Sequence, residues 1–311
     1  MGGETLAGRD LISLIDFSTE ELQHILDLAA EVKANPRRYS DALGGRTLFM
    51  YFEKPSLRTR VTFEAGMTQL GGHAINYSAS EGRIGSRESV EDVARNLDRW
   101  VDAAMCRTFS HRMLVDLARF AQVPVINGLT DELHPCQALA DYLTLREVKG
   151  QVAGKRLVYV GDGNNVAHSL MNGGARLGAH VRVITPEEHP PSSAIVEAAR
   201  AAAVDSGGSI ELSHDPADVT GADAVYTDVW ASMGQEAEAE QRKARFRRFQ
   251  VNEALMERAG EDAVFMHCLP AHRGDEVTNG VADSPRSVIF QQAENRLHVQ
   301  KAVLLLLLGG A

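Results

Sequence analysis

The sequence predicts an α/β protein with two doubly wound domains, each built on a mainly parallel sheet, and a C-terminal helix that returns to the first domain. Short apolar runs alternate with helical patterns along the chain, which is typical of strands joined by helical crossovers. Most of these runs lack polar alternation, as expected of strands buried on both faces. The 311 residues, 44% of them hydrophobic, exceed the roughly 250–300 residues at which a single core stops growing.

The predicted elements follow from these runs in chain order. Strands are predicted in the first domain at Arg46–Phe52, Ala74–Tyr77, Ala103–Arg107 and Val123–Asn127. The strands of the second domain are predicted at Arg156–Gly161, Val181–Thr185, Ser209–Leu212, Ala224–Asp228, Val264–Cys268 and Val288–Phe290. Helical patterns separate them at Thr19–Val32, Thr59–Leu70, Ser89–Val101, His111–Phe120, Asn165–Leu177 and Ser192–Val204.

The domain boundary is predicted after the helix Pro135–Val148. This helix begins with proline, which suits a first helical position, and Gly150 follows its end. The first domain therefore spans residues 1–149 and is completed by residues 293–311, with 150–292 forming the second domain. The segment Glu236–Phe249 changes from acidic to basic residues and is predicted to be a solvated surface rather than a binding patch.

Composition narrows the class of protein. A formal net charge of −10 argues against a general nucleic-acid or membrane-surface binder, since these are normally basic. The N-terminus lacks the pattern of a secretory signal, and the longest apolar run, Ala302–Leu308, is shorter than the about 20 residues of a membrane span. The three cysteines are odd in number and widely spaced, which predicts reduced thiols in a cytoplasmic protein.

The first chemical motif is Ser56-Leu57-Arg58-Thr59-Arg60, between a predicted strand and a predicted helix. A helix start presents unpaired N–H groups and the positive end of the helix dipole, which together bind anions. Hydroxyl donors and an arginine that can bind phosphate through two parallel bonds strengthen this interpretation. The alternative is an ordinary N-cap followed by two surface arginines.

The second motif is His134-Pro-Cys-Gln137, which also opens a helix. The histidine and the glutamine amide can direct donors at one carbonyl or phosphate oxygen. The alternative is a histidine that only satisfies a nearby backbone carbonyl. A metal site is not predicted, because His134, His267 and His272 lack the short paired spacings of zinc ligands.

The remaining motifs lie at the predicted carboxyl ends of strands, where open α/β sheets bind ligands. Gly161-Asp-Gly-Asn-Asn165 lacks the third glycine of a dinucleotide fingerprint, since Val166 stands there, so its asparagines are predicted to orient a polar small molecule. Asp228 is predicted to pair with a cationic amine. Cys268 follows His267, but adjacent strand residues point to opposite faces, which disfavours a Cys–His dyad.

Together these stretches resemble the aspartate/ornithine carbamoyltransferase superfamily over essentially the whole chain. The matching stretches occur in family order at Phe52-Glu-Lys-Pro-Ser-Leu-Arg-Thr-Arg60, Leu70-Gly-Gly-His73, His134-Pro-Cys-Gln137, Asp228-Val-Trp-Ala-Ser-Met-Gly-Gln-Glu236, His267-Cys-Leu-Pro270 and Ala293-Glu-Asn-Arg296. The Ser-Met-Gly and His-Cys-Leu-Pro stretches look like the ornithine branch. The resemblance implies transfer of a carbamoyl group from carbamoyl phosphate to the side-chain amine of ornithine, with no metal or organic cofactor.

The resemblance also implies the site residues. Side chains expected to bind carbamoyl phosphate are Ser56, Arg58, Thr59, Arg107, His134, Gln137 and Arg296, and backbone groups are expected to contribute at Leu57, Cys268 and Leu269. The positions expected to hold ornithine are Asn165, Asp228, Ser232 and Met233. The residues expected to take part in catalysis are Arg58, Arg107, His134, Asp228 and Cys268.

The family is typically a homotrimer in which a loop of one subunit, here Ser80–Glu88, completes the site of its neighbour. Two positions depart from the family pattern. Leu57 replaces the usual threonine of the phosphate motif, so any hydroxyl contact there is lost. Arg83 stands where a neutral residue such as glutamine is expected, and it either adds charge toward the neighbour's phosphate or points to solvent.

The implied mechanism is attack of the unprotonated ornithine amine on the carbonyl carbon, with arginines stabilising the phosphate and with His134, Gln137 and Arg296 polarising the carbonyl oxygen. Asp228 and the Cys268 thiolate would help the amine lose its proton. Three alternatives stay open: a different amine acceptor such as putrescine or N-acetylornithine, a nicotinamide-dependent oxidoreductase, and a non-catalytic binding protein on the same fold. The physiological direction is not decided by the sequence.

Overall fold

The computed structural model describes residues 6–231 and 239–310 and confirms the α/β class. The chain divides into two compact units, each with one parallel sheet. Unit 1 comprises residues 1–16, 20–139 and 296–311, and unit 2 comprises residues 17–19 and 140–295. The units part inside a helix, ten residues before the boundary predicted from the sequence.

The sheet of unit 1 has four strands in the order β2-β1-β3-β4. Their bounds are Thr47–Phe52 (β1), His73–Ser78 (β2), Ala103–Arg107 (β3) and Val125–Leu129 (β4). All three neighbouring pairs are parallel. Nearly every residue of β3 and β4 is buried, whereas β2, at the opposite end of the sheet from β4, is half-exposed.

The sheet of unit 2 has five strands in the order β7-β6-β5-β8-β9. Their bounds are Arg156–Val160 (β5), His180–Ile184 (β6), Ser209–Ser213 (β7), Ala224–Thr227 (β8) and Val264–His267 (β9). All neighbours are parallel. The chain order reverses at β5, so the carboxyl ends of β5, β8 and β9 lie at the topological switch point where such sheets bind ligands.

Helices connect the strands and begin at polar caps. Their bounds are Thr19–Ala34 (α1), Leu57–Gln69 (α2), Val90–Trp100 (α3), His111–Phe120 (α4), Pro135–Lys149 (α5), Asn165–Leu177 (α6), Ser193–Ser206 (α7), Ala239–Phe246 (α8), Glu253–Ala259 (α9), Asn279–Ala282 (α10) and Ile289–Leu307 (α11). Ser56, Ser89 and Ser110 each accept a bond from the third N–H of the following helix, the favoured N-cap arrangement. No helix within the described residues is long and apolar enough to cross a membrane.

The predicted strand Val288–Phe290 is wrong, because this segment opens α11. The residues just before the helix pair with β9 through one bridge between Ser287 and Phe265, in which the Phe265 N–H donates to the Arg286 carbonyl and the Val288 N–H donates to the Phe265 carbonyl. Val288 therefore makes one bond to the edge of the sheet, and the apolar residues that follow it form the first turn of α11. The C-terminal part of α11, from Arg296 onward, belongs to unit 1, which confirms the predicted return of the last helix.

Candidate active site

The phosphate motif of unit 1 lies at the junction between β1 and α2, as the sequence predicts. The Ser56 side chain caps α2 by accepting from the Thr59 N–H at 3.2 Å. Leu57 is the first residue of the helix and its side chain is 76% exposed. The departure from threonine at this position therefore leaves an apolar side chain outside the core, while the N–H groups of the helix start are retained.

Two arginines that are distant in sequence reach the same hydroxyl of this motif. Thr59 is buried, and its Oγ1 accepts hydrogen bonds from Arg296 Nη2 at 3.2 Å and from Arg107 Nη1 at 3.5 Å. Arg296 also donates from Nη1 to Gln137 Oε1 at 2.6 Å. The fold thus brings together residues of α2, β3, α5 and α11 in one cationic cluster, which is suited to an anionic ligand.

His134 stands directly before α5 and is 5% exposed. Burial lowers its pKa well below the usual value, and the guanidinium charges of Arg296, Arg107 and Arg58 lower it further. The imidazole is therefore neutral near pH 7, and a neutral ring offers one N–H donor and one acceptor. Because His134 lies near these three arginines, the motif at 134–137 and the motif at 56–60 form one cluster, as the family resemblance implied.

Arg83 is held within its own chain. Its Nε donates to Glu53 Oε1 at 3.0 Å, and its side chain is 63% exposed. The Glu53 carboxylate is nearly buried and also accepts from the Phe109 N–H at 2.8 Å. The loop 80–88 is therefore tied to the residue that follows β1, three positions before Ser56.

In unit 2, Asp228 lies just beyond the end of β8 and is 6% exposed. Its Oδ1 accepts from the Cys268 thiol at 2.9 Å and from the Val229 N–H at 2.8 Å. Its Oδ2 accepts from Asn164 Nδ2 at 2.8 Å. The carboxyl ends of β5, β8 and β9 thus deliver three polar side chains to one point, as expected at the switch point of the sheet.

A Cys–His dyad is disfavoured by the hydrogen bonds of His267 rather than by opposite faces of the strand. Its Nδ1 accepts from the Leu269 N–H at 2.8 Å, and its Nε2 lies 3.2 Å from Glu276 Oε1. Ligand atoms of Asp228, His267 and Cys268 lie within 4.8 Å of one another, close enough for a metal ion. Both ring nitrogens of His267 are already bonded, however, so a cation there would have to displace one of those bonds.

Asn164 and Asn165 were both predicted to orient a polar small molecule, but the contact between Asn164 and Asp228 was not predicted. Asn164 caps α6 and contacts Asp228, whereas the predicted ligand Asn165 is the first residue of that helix. The sequence shows two adjacent asparagines after a strand. It does not show which of them contacts Asp228, because that contact joins residues 64 positions apart. The predicted ligands Ser232 and Met233 lie outside the described residues.

Comparison with known families gives a match over almost the entire chain. The carbamoyl-phosphate-binding domain of the aspartate/ornithine carbamoyltransferases matches residues 9–147. The aspartate/ornithine-binding domain of the same family matches residues 153–307. The first range contains Thr59, Arg107 and His134, and the second contains Asp228, Cys268 and Arg296.

Individual relatives are similar at full length. An ornithine carbamoyltransferase of Thermococcus kodakarensis is 55% identical over 98% of each chain, and an anabolic ornithine carbamoyltransferase of Pyrococcus furiosus is equally similar. The solved structure of the Pyrococcus furiosus enzyme superposes with a TM-score of 0.96 and covers 99% of this chain and 100% of its own. The ornithine carbamoyltransferase from Thermus thermophilus, at 45% identity, superposes with a TM-score of 0.86, covering 95% of this chain and 97% of its own.

Proposed function

The chain belongs to the aspartate/ornithine carbamoyltransferase family, and we propose that it transfers the carbamoyl group of carbamoyl phosphate to the side-chain amine of L-ornithine, giving L-citrulline and phosphate. The observation that carries this proposal is the meeting of Arg107 and Arg296 at Thr59, beside the N-terminus of α2. An anion bound there would face two fixed guanidinium groups and the helix N–H groups together.

The phosphate of the donor substrate binds to Ser56, Arg58, Thr59 and Arg107. Arginine suits this role because its planar fork can pair with two phosphate oxygens and its charge does not titrate near neutral pH. When the C–O bond to phosphate breaks, the leaving group gains negative charge, and these cations stabilise it. The backbone N–H of Leu57, at the start of α2, contributes a further bond to the same substrate.

The carbamoyl oxygen is directed toward His134, Gln137 and Arg296. Gln137 Oε1 accepts from Arg296, so its Nε2 is the atom that can donate to a substrate. The attack converts the carbonyl into a tetrahedral intermediate whose oxygen is anionic, and donors already fixed in place stabilise that charge without reorganisation. A neutral His134 can donate one N–H there without adding a further positive charge to the arginine cluster.

The acceptor binds in unit 2. The Asp228 carboxylate attracts the cationic amine of ornithine, while Asn165, Ser232 and Met233 hold the rest of the amino acid. The 2.9 Å contact between Asp228 and the Cys268 thiol supports joint action of these groups as the amine loses its proton. The proposed mechanism uses no metal or organic cofactor, since arginine, histidine and amide donors stabilise the charge that develops on the donor substrate.

Assembly and physiology are also part of the proposal. The chain forms a homotrimer in the cytoplasm, and the loop 80–88, carrying Arg83, completes the phosphate site of a neighbouring subunit. The reaction runs toward citrulline in arginine biosynthesis, which is supported by the anabolic enzyme of Pyrococcus furiosus at 55% identity. Sedimentation of the purified protein at three times the 33.8 kDa of one chain is the expected result for the assembly.

The direct test is citrulline formation by purified protein supplied with carbamoyl phosphate and ornithine. Putrescine and N-acetylornithine serve as rival acceptors in parallel reactions. Selective turnover of ornithine is expected, whereas preference for another amine would leave the donor assignment and overturn the acceptor assignment. An Arg58→Ala protein with near-normal turnover would contradict the donor assignment itself.

A further inference from the structure

We propose that Asn164 is a positioning residue for the acceptor, because its amide orients the Asp228 carboxylate so that one lone pair of Oδ2 faces an ammonium group of the substrate. The inference rests on the proposed function, in which Asp228 binds the amine of ornithine. It adds a residue that does not itself contact the acceptor and assigns it a measurable effect on acceptor use.

The orientation of the Asn164 amide is fixed by three donors on its oxygen. Oδ1 accepts from the Val166 N–H at 3.0 Å and the Ala167 N–H at 3.2 Å, which is the N-cap of α6. It also accepts from the Tyr159 hydroxyl at 3.3 Å. A flipped amide would place its NH2 group against these donors, so Nδ2 must point to Asp228.

Tyr159 keeps this arrangement independent of pH in the neutral range. The residue is fully buried and stacks on Tyr226 with ring centroids 5.9 Å apart. Burial, together with the negative charge of Asp228, raises the pKa of Tyr159 well above its usual value. The hydroxyl therefore stays protonated and donates to Asn164, which locks the amide in the orientation that serves Asp228.

The bond from Asn164 to Asp228 leaves a defined acceptor position on the Asp228 carboxylate. An ionised carboxylate has about four acceptor positions. Val229 and Cys268 donate to Oδ1, and Asn164 donates to Oδ2. These donors hold both oxygens at fixed positions. Among the described residues no further donor to Asp228 is found, so one position on Oδ2 is left for a substrate ammonium.

Substitutions at Asn164 can separate this task from capping. Asn164→Ser keeps a capping oxygen but is too short to reach Asp228, so kcat/KM for ornithine should fall about 10- to 100-fold, the usual effect of losing a hydrogen bond to a charged group. Binding of carbamoyl phosphate alone, measured by calorimetry, should stay unchanged. Asn252 supplies the matched control, because it caps α9 through the Leu255 N–H at 3.0 Å and the structure gives it no bond to Asp228. Asn252→Ser makes the same change at a cap and should leave kcat/KM unchanged.

Asn164→Asp gives a readout that a capping role would not change. Aspartate caps a helix as well as asparagine, but here it places a second carboxyl group against Asp228, and two adjacent carboxyls share one proton up to an elevated pH. While that proton is shared, the O–H replaces the amide donor. The ratio of variant to wild-type kcat/KM should therefore fall as pH rises and the proton is lost, whereas the ratio for Asn164→Ser should be flat.

The outcomes are distinguishable from those that test the proposed function. A wild-type protein that does not carbamoylate ornithine would refute the proposed function, whatever the variants do. A wild-type protein that does so, with both Asn164 variants equal to it at every pH, would show that Asn164 only caps the helix and would overturn the inference. A loss of activity in Asn252→Ser as large as in Asn164→Ser would also overturn it, because capping would then explain the effect.

Discussion

His134 should make unit 1 less stable in acid, and the size of the effect follows from its surroundings. Burial and three nearby arginines hold the pKa of His134 well below the 6.5 of an exposed histidine. Below pH 6.5 His134 binds a proton in the unfolded chain but stays neutral in the folded chain. The free energy of unfolding therefore falls as the pH falls. The loss is at most about 1.4 kcal/mol for each pH unit below 6.5, and so at most about 2 kcal/mol at pH 5.0, a limit reached while the folded state keeps the imidazole neutral.

The measurement is urea unfolding at pH 7.5 and pH 5.0 for the wild-type residue and for His134→Gln, at one protein concentration and without substrates. The chain has two tryptophans, and Trp100 lies in unit 1 while Trp230 lies in unit 2. A Trp230→Phe background therefore makes fluorescence report on the unit that contains His134. Glutamine keeps a polar side chain of similar size that does not titrate.

The protein with His134 should lose more stability on acidification than the glutamine variant, by up to about 2 kcal/mol. All other titrating groups are common to both proteins and cancel in this comparison. Equal losses would show that His134 gains its proton normally in the folded state. The assignment of a neutral imidazole beside the arginine cluster would then be refuted.

Three further predictions concern the two halves of the site. Arg296→Met should lower kcat/KM for carbamoyl phosphate about 10²–10³-fold, because a fixed donor to the substrate oxygen is lost; steady-state kinetics with saturating ornithine measure this. Asp228→Asn should lower kcat/KM for ornithine but leave carbamoyl phosphate binding near normal by calorimetry, and equal loss of both would contradict the division of the site. Burial raises the pKa of Cys106 and of Cys136 to about 12, so these two thiols should not react with a disulfide reagent at pH 8. The reagent should therefore label only Cys268 in the native chain, and it should label no thiol in Cys268→Ser.

The parts of the fold that could be predicted were those controlled by local patterns. The motifs at residues 56–60 and 134–137 were placed at helix starts because a cap residue or a proline follows a buried strand, and the structure confirms both positions. The failure at Val288–Phe290 has the opposite cause. A β-branched run favours a strand locally, but the apolar period that continues through α11 decides the outcome.

The composition of the site depended on contacts that local patterns do not encode. Arg296 lies 159 residues from Gln137 and 237 from Thr59, and only the resemblance to a family indicated that they would meet. The bond from Asn164 to Asp228 spans 64 residues and was not predicted. A sequence shows that a residue stands at the end of a strand, but strand order decides which ends are neighbours.

The two halves solve opposite electrostatic problems with opposite kinds of groups. The donor substrate is an anion, and unit 1 meets it with guanidinium groups that keep their charge at all relevant pH values, while the one titratable group among them, His134, is held neutral. A protonated imidazole there would add repulsion to the arginines in the absence of substrate. In the proposed reaction the acceptor amine must lose a proton before it attacks. Unit 2 has a carboxylate bonded to a thiol and an amide for this proposed step, rather than a second fixed positive charge. Neither kind of charged group could replace the other. A fixed cation near the amine would repel the protonated acceptor, and a carboxylate beside the phosphate would oppose binding of the donor.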